Sequence, residues 1–234
     1  MNKKGRILEA AKKEFAEKGL EGARMEAIAG RAGVNKALLH YHYSSKENLY
    51  KEVLVQHSLF DAKLINRLAE YAATVKLSPP EKLYIWIYLL INIHFEAMDE
   101  EFRKIISREM AEEREHFKKI IQSYLIPRHE DFEGIIIEGV ESGHFVTKNP
   151  LFVVINLNTF IMALINTRGL LKGSSWHKRI YGKLYKEVLF DFLIDHTFKA
   201  LCPPGKEPAI PEIPKEILVT INRIMDEIRK EDKE

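Results

Sequence analysis

The sequence predicts an all-α fold in two unequal modules, a short N-terminal one of three helices and a larger helical one after it. Three observations carry this. Apolar residues recur at helical spacing along most of the chain, and the strict alternation of a half-buried strand is nearly absent. Two short apolar stripes near the N-terminus are joined by one glycine, the pattern of a helix-turn-helix. The first fifty residues hold ten Lys and Arg against six Glu and no Asp, a net +4, while the whole 234-residue chain carries only +2.

The elements follow in order. From Lys3 to Lys18, Ile7, Leu8, Ala11 and Phe15 line one helical face, and Gly19 supplies the stop. Met25, Ile28, Ala29 and Ala32 make a second short stripe. Gly33 follows it, and Val34, Leu38, Leu39 and Tyr43 belong to a third. Leu49, Val53, Leu54, Leu64, Ile65 and Leu68 predict one long connecting helix from Lys46 to about Thr74. After a break at Pro79 and Pro80, the run KLYIWIYLLINIHFEAM is apolar on nearly every face, which marks a buried central helix. Further helices are expected at 100–113, 115–141 with a kink at Pro127, 150–168 and 181–201. Pro203, Pro204, Pro208, Pro211 and Pro214 then make a stiff extended spacer. In the last helix, about 215–230, Ile217, Ile221, Ile224, Met225 and Ile228 form one apolar stripe that must dock, and the expected seat is the larger domain of its own chain or of a partner. The domains expected are therefore 1–48, 49–201, a linker at 202–214 and a C-terminal helix at 215–234.

Composition narrows the function classes. Apolar residues at 46% and charged residues at 30% describe an ordinary folding chain. No stretch reaches the ~20 uncharged apolar residues of a bilayer crossing, and the N-terminus lacks the apolar core of a signal peptide, so a cytoplasmic protein without a membrane partner is expected. The single cysteine, Cys202, excludes an intramolecular disulfide. The nine histidines show no convincing metal-ligand spacing, so no metal and no cofactor is expected. A nucleophile elbow, a phosphate loop, a zincin motif and a paired-carboxylate arrangement are all absent, which argues against an enzyme.

In the helix-turn-helix, Ala29 and Ala32 are small enough for two helices to cross closely, Gly33 makes the turn, and Val34 and Leu39 fill the space between them. Asn35, Lys36, Ala37, His40 and Tyr41 remain outward on the third helix, a set of donors and one small residue suited to base edges in a major groove. His42 and Lys46 flank that surface. The stretch from Ala27 to Tyr50 closely resembles the N-terminal domain of TetR-family regulators in Ile28-Ala29, Ala32-Gly33-Val34, Lys36, Leu39, the run His40-Tyr41-His42-Tyr43, and Ser45-Lys46-Glu47 before Leu49. With the first helix, the resemblance covers roughly residues 5–55. It implies groove contacts from Lys36, Ala37 and His40 and phosphate contacts from Tyr41, His42 and Lys46. Arg24 stands where the family commonly has a hydroxyl cap, and its cation is within reach of a phosphate. Leu38 and His40 replace a small polar residue and a tyrosine.

The resemblance also implies a homodimer that binds double-stranded operator DNA, with the larger domain serving ligand binding and dimerisation. Tyr84, Trp86, Tyr88, Asn92, His94, Asn156, Thr159, Met162 and Asn166 are aromatic or polar groups within apolar helices. They form the candidate lining for a small-molecule effector, which such a lining makes mostly apolar. Gly143, in the stretch Gly134–Phe145 that resembles the end of a pocket helix, reads as a C-cap. Phe152, Ile155, Phe160, Leu184, Val188, Phe192 and Phe198 exceed what one core requires and mark a dimer face. The reading this supports is a repressor released from its operator by the effector. The alternative is an effector-independent or activating DNA-binding regulator, with an enzyme a remote third.

Overall fold

The computed structural model describes residues 2–97, 99–208 and 210–231, with side chains other than 56–62, 65, 73, 96, 97, 116 and 229; Ile65 and Met98, named above, lie outside this set. The described residues form helices and loops without a strand. The first four helices are α1 (Lys3–Gly22), α2 (Met25–Ala32), α3 (Lys36–Tyr43) and α4 (Lys46–Thr74). They are followed by α5 (Pro79–Asn92), α6 (Glu100–Glu112), α7 (Glu115–Ile120) and α8 (Ile126–Glu141). The last four are α9 (Pro150–Thr167), α10 (Ser175–Ile180), α11 (Tyr185–Leu201) and α12 (Lys215–Glu231). Two compact units result. The first comprises residues 1–74, 99–125 and 219–234, and the second comprises 75–98 and 126–218.

In the first unit, Ile7, Ala11 and Phe15 of α1 are fully buried together with Ile28, Leu39 and Leu49 from the next three helices. Phe15 meets Tyr50 edge to face, with ring centroids 4.7 Å apart, and the Tyr50 hydroxyl donates to Glu109 Oε1 of α6 at 2.6 Å. Burial and the neighbouring carboxylate hold the Tyr50 phenol well above its ordinary range. Helix α6 also grips α1 at two places. Arg108 Nη1 donates to the Phe15 carbonyl at 3.0 Å, and Lys12 pairs with Asp99, whose carboxylate caps α6 by accepting from the Phe102 amide at 2.8 Å. Gly19 departs from helical geometry as expected, at φ 70°, although one further turn runs on to Gly22. Helix α12 is seated in this unit, where Arg67 of α4 reaches Glu227 at 2.7 Å and Glu231 at 3.2 Å. Its apolar stripe is covered, with Ile221 at 1% and Ile228 at 0% exposure. The ion pairs of Arg67 tie α12 to the long helix that continues from the helix-turn-helix.

The second unit builds a core from α5, α8, α9 and α11, around Leu83, Ile87, Phe132, Ile136, Val154 and Leu193. Pro79 and Pro80 do not precede α5; they form its first turn, where their missing N–H groups would have no intrahelical partner. Glu81 closes that end by accepting from the Ser78 amide at 2.7 Å and its hydroxyl at 2.6 Å. The long apolar run is not one regular helix: α5 gives way at Ile93 to a π turn through Ala97. A second π turn, Ile121–Leu125, stands immediately before Pro127. It is the form the expected kink takes, since proline offers no amide to the carbonyl four residues back and the wider turn relieves the clash. The short helix α10 was not foreseen, and α11 starts at Tyr185 rather than 181.

Helix α9 carries two apolar faces. Val154, Leu157, Ile161 and Ile165 are buried, whereas Phe152, Ile155 and Phe160 are exposed. It has 18 residues without one charge and a mean hydropathy of 1.6, closer to a bilayer-spanning segment than the sequence reading allowed. Its buried row belongs to the core of the unit.

Candidate nucleic-acid interface

The turn between α2 and α3 is a Schellman motif. Gly33 takes the left-handed conformation at φ 65°, ψ 39°; its amide donates to Gly30 O at 3.2 Å and the Val34 amide to Ala29 O at 3.1 Å. A side chain with a Cβ would be strained at that φ, so glycine sets the angle at which α3 leaves α2. Arg24 occupies the N-cap position of α2 without a side-chain cap bond, as the loss of a hydroxyl there implies. Asn35 caps α3, its Oδ1 accepting from the Leu38 amide at 2.7 Å. Asn35 is exposed, and while its amide oxygen starts the helix, its amide nitrogen remains a donor.

Helix α3 buries Leu39 and Tyr43 and leaves Lys36, Ala37, His40, Tyr41 and His42 exposed, Tyr41 at 82%. The Tyr41 ring meets His42 edge to face at 5.4 Å. The Tyr43 hydroxyl is buried and meets no hydrogen-bond partner among the described residues; burial and the charge of Glu52 push it up to about 12. Tyr43 is therefore packing and Tyr41 is surface. Helix α4 begins at a Ser45 cap, whose Oγ accepts from the Asn48 amide at 3.1 Å. Lys46, the first residue of α4, donates to the Glu21 carbonyl at 3.1 Å. The structure thus brings Lys36, Ala37, His40, Tyr41 and His42 together on one short helix, with Arg24 and Lys46 at helix starts on either side of it.

One charged residue beside this surface escaped the sequence reading. Glu26, in the first turn of α2, pairs with Lys36 Nζ, and this hydrogen bond holds its carboxyl below the usual range. The only sequence signal was a lone acidic residue in a basic segment.

The candidate effector lining separates into two groups. Tyr84 and Tyr88 of α5 flank Phe190 of α11 at 5.0 and 5.9 Å, and Trp86 stacks on Phe132 at 4.7 Å. Asn92 donates to the Tyr88 carbonyl at 2.9 Å, and His94 Nδ1 lies 2.8 Å from the Leu90 carbonyl, so both satisfy their own helix. The other group is on the outside of α9. Asn156, Thr159 and Asn166 lie on the exposed side of α9 with Phe152 and Phe160, and Met162 is half-buried. Two residues were missed here. Arg128 is buried with its guanidinium 5.4 Å from the Trp86 ring, and its neighbour His129 hydrogen-bonds Asn158.

Among the described residues, the glycine-turned pair of helices with a polar, exposed third helix has the architecture of a helix-turn-helix domain. Comparison with known proteins supplies a family match for this domain: residues 7–53 match the family described as "Bacterial regulatory proteins, tetR family". The HTH-type transcriptional activator FasR of Mycolicibacterium smegmatis is 46% identical over 55 residues, which are 24% of this chain and 25% of FasR. The HTH-type transcriptional repressor SCO4008 of Streptomyces coelicolor is 34% identical over 91 residues, 39% of this chain and 42% of that one. The matches thus span less than half the length of either relative. Among solved structures, a regulator from Saccharomonospora viridis in complex with choline shares the fold at a TM-score of 0.64 and 18% identity, over 85% of this chain and 96% of that one.

Proposed function

We propose that the protein is a homodimeric, cytoplasmic transcriptional regulator that reads a palindromic operator with α3 and is released from it by a small effector. The observation that carries DNA reading is the outward face of α3, where Lys36, Ala37, His40 and Tyr41 are exposed on a helix whose start and angle are fixed by Asn35 and Gly33. Support for a dimer comes from Phe152, Val188 and Phe192, exposed at 65%, 66% and 51% on the two helices that also line the core of the second unit. Two-fold pairing through α9 and α11 covers that face. It also matches half-sites one helical turn, ~34 to 36 Å, apart or a multiple of it. Release by an effector draws on the half-buried aromatic cluster of Tyr84, Tyr88 and Trp86. That cluster favours an apolar or aromatic ligand, and Arg128 beside Trp86 adds a cation that suits one acidic group on it.

The test is selection of bound duplexes from a random library, followed by binding titrations at several salt concentrations. Lys46→Ala is expected to weaken all duplexes alike and to lower the salt slope by about one. Lys36→Ala is expected to change the selected sequence, at ~1 to 3 kcal/mol for the affected base. A library that yields no enriched sequence removes operator reading. Thermal-shift screening then tests the effector, and a hit must also weaken operator binding.

A further inference from the structure

The cations of the DNA-reading surface are not treated alike. Arg24 and Lys46, which flank α3, have no acidic partner among the described residues; Lys46 meets only a neutral carbonyl. Lys36, the lysine placed to read bases, is the one held by a carboxylate. Its Nζ pairs with Glu26 across the turn, both side chains being more than half exposed, at 53% and 62%. A phosphate-gripping cation benefits from being bare, because each phosphate it neutralises releases counterions whatever the sequence. A lysine on a flexible stem at the front of a recognition helix would do the same if it were free, and would raise affinity for every duplex.

We propose that Glu26 is a specificity-determining residue of this surface, holding Lys36 from indiscriminate phosphate contact and penalising sequences that offer its carboxylate no donor. This rests on the DNA-reading function proposed above. An exposed ion pair is weak in water, so DNA can open it. What opening leaves behind differs between sequences. On an arbitrary duplex, Lys36 gains a phosphate only by stranding a carboxylate beside a polyanion. Where a guanine presents O6 and N7 to Lys36 and a nearby cytosine presents its N4 amino group to Glu26, both partners are satisfied in the groove. The carboxylate thereby works as a repulsive element against the wrong site.

The experiment compares wild type, Glu26→Gln, Lys36→Ala and the double variant, each titrated against the selected operator and a scrambled duplex of equal length across salt concentrations. Glu26→Gln is expected to tighten the scrambled duplex about tenfold and to steepen its salt slope by about one as Lys36 becomes free for phosphate. Operator affinity should rise less or fall, so the specificity ratio drops about tenfold. In the Lys36→Ala background the steepening should vanish. Glu26 also sits in the first turn of α2, where a carboxylate favours the helix end, and a purely structural role would shift melting temperature and both affinities together. Equal changes on both duplexes, an unchanged slope, or the same steepening without Lys36 would overturn the proposal. A wild-type protein with no preference for the operator would instead remove the DNA-reading function on which it rests.

Discussion

Replacing Ile228 by Ala tests whether α12 is an integral part of the first unit. The residue is fully buried at 0% exposure, in a stripe with Ile221 and Met225 at 1% and 3%. Truncating a buried isoleucine to alanine costs ~2 to 5 kcal/mol, the spread depending on how far the surroundings collapse into the space. For a chain of this length each kcal/mol moves the melting temperature by about 2 to 4 °C, so a fall of roughly 4 to 20 °C is expected. Val219 lies on the same helix at 65% exposure, and Val219→Ala serves as the control with little change. If α12 opens on its own before the unit melts, the loss is limited to the free energy of that local opening. It then appears as faster proteolysis in the proline-rich 203–214 segment. Calorimetry and limited proteolysis on the three proteins read both outcomes. An Ile228→Ala protein that melts within a degree of the Val219→Ala control, with equal cleavage, would refute the docking of α12.

Gly139→Ala should destabilise the second unit, because a Cβ there would stand 2.0 Å from Phe145 Cδ2; a loss of about 1 to 3 kcal/mol is expected in thermal melts, with partial recovery in a Phe145→Leu background. Burial holds the His129 imidazole below its ordinary value of 6.5, with the charge of Arg128 adding to this and the Asn158 hydrogen bond opposing it. Below pH 6.5 the unfolded chain therefore takes up a proton that the folded one refuses until its own lower pKa is reached, and stability falls with pH across that window. His129→Gln should lose less stability than the parent between pH 7 and pH 5 in denaturant titrations, and an identical loss would exclude this histidine as the source. Phe192→Asp places a charge on the exposed face of α11 and should leave only monomers in sedimentation at micromolar concentration; persistent dimers would move the interface elsewhere.

The helix-turn-helix was legible because its determinants are local. Gly33 must turn, Ala29 and Ala32 must let helices approach, and each requirement is met within a few residues of where it acts. The break at Gly19 and the disturbance near Pro127 were legible for the same reason, being properties of one residue's backbone, although the proline's effect emerged as a π turn rather than a bend. What periodicity could not settle was which face of α9 is inside. Both its faces are apolar, so a 3.6-residue repeat places Asn156, Thr159 and Asn166 with Phe152 and Phe160 without saying whether that face meets the core or the outside. The sequence showed Asn35 as a surface donor but not as the cap of its helix, a use its amide oxygen takes at the Leu38 amide 2.7 Å away while its amide nitrogen stays a donor. The Glu26–Lys36 pair and the stacking of Arg128 over Trp86 are tertiary, and no local pattern announces either. The stripe of α12 was plain in the sequence, but a stripe says only that something covers it.

The first unit is assembled from three separated stretches of the chain, and its last stretch begins at Val219, 145 residues after the end of its first at Thr74. On a ribosome adding ~5 to 20 residues per second, the seat for α12 is translated roughly 7 to 30 s before its occupant. During that interval the helix-turn-helix already exists while the last stretch of its unit does not. The nascent chain therefore carries an open apolar strip through most of its synthesis, which makes it a candidate for chaperone capture. A stalled or prematurely terminated chain would carry the helix-turn-helix without the last helix of its unit.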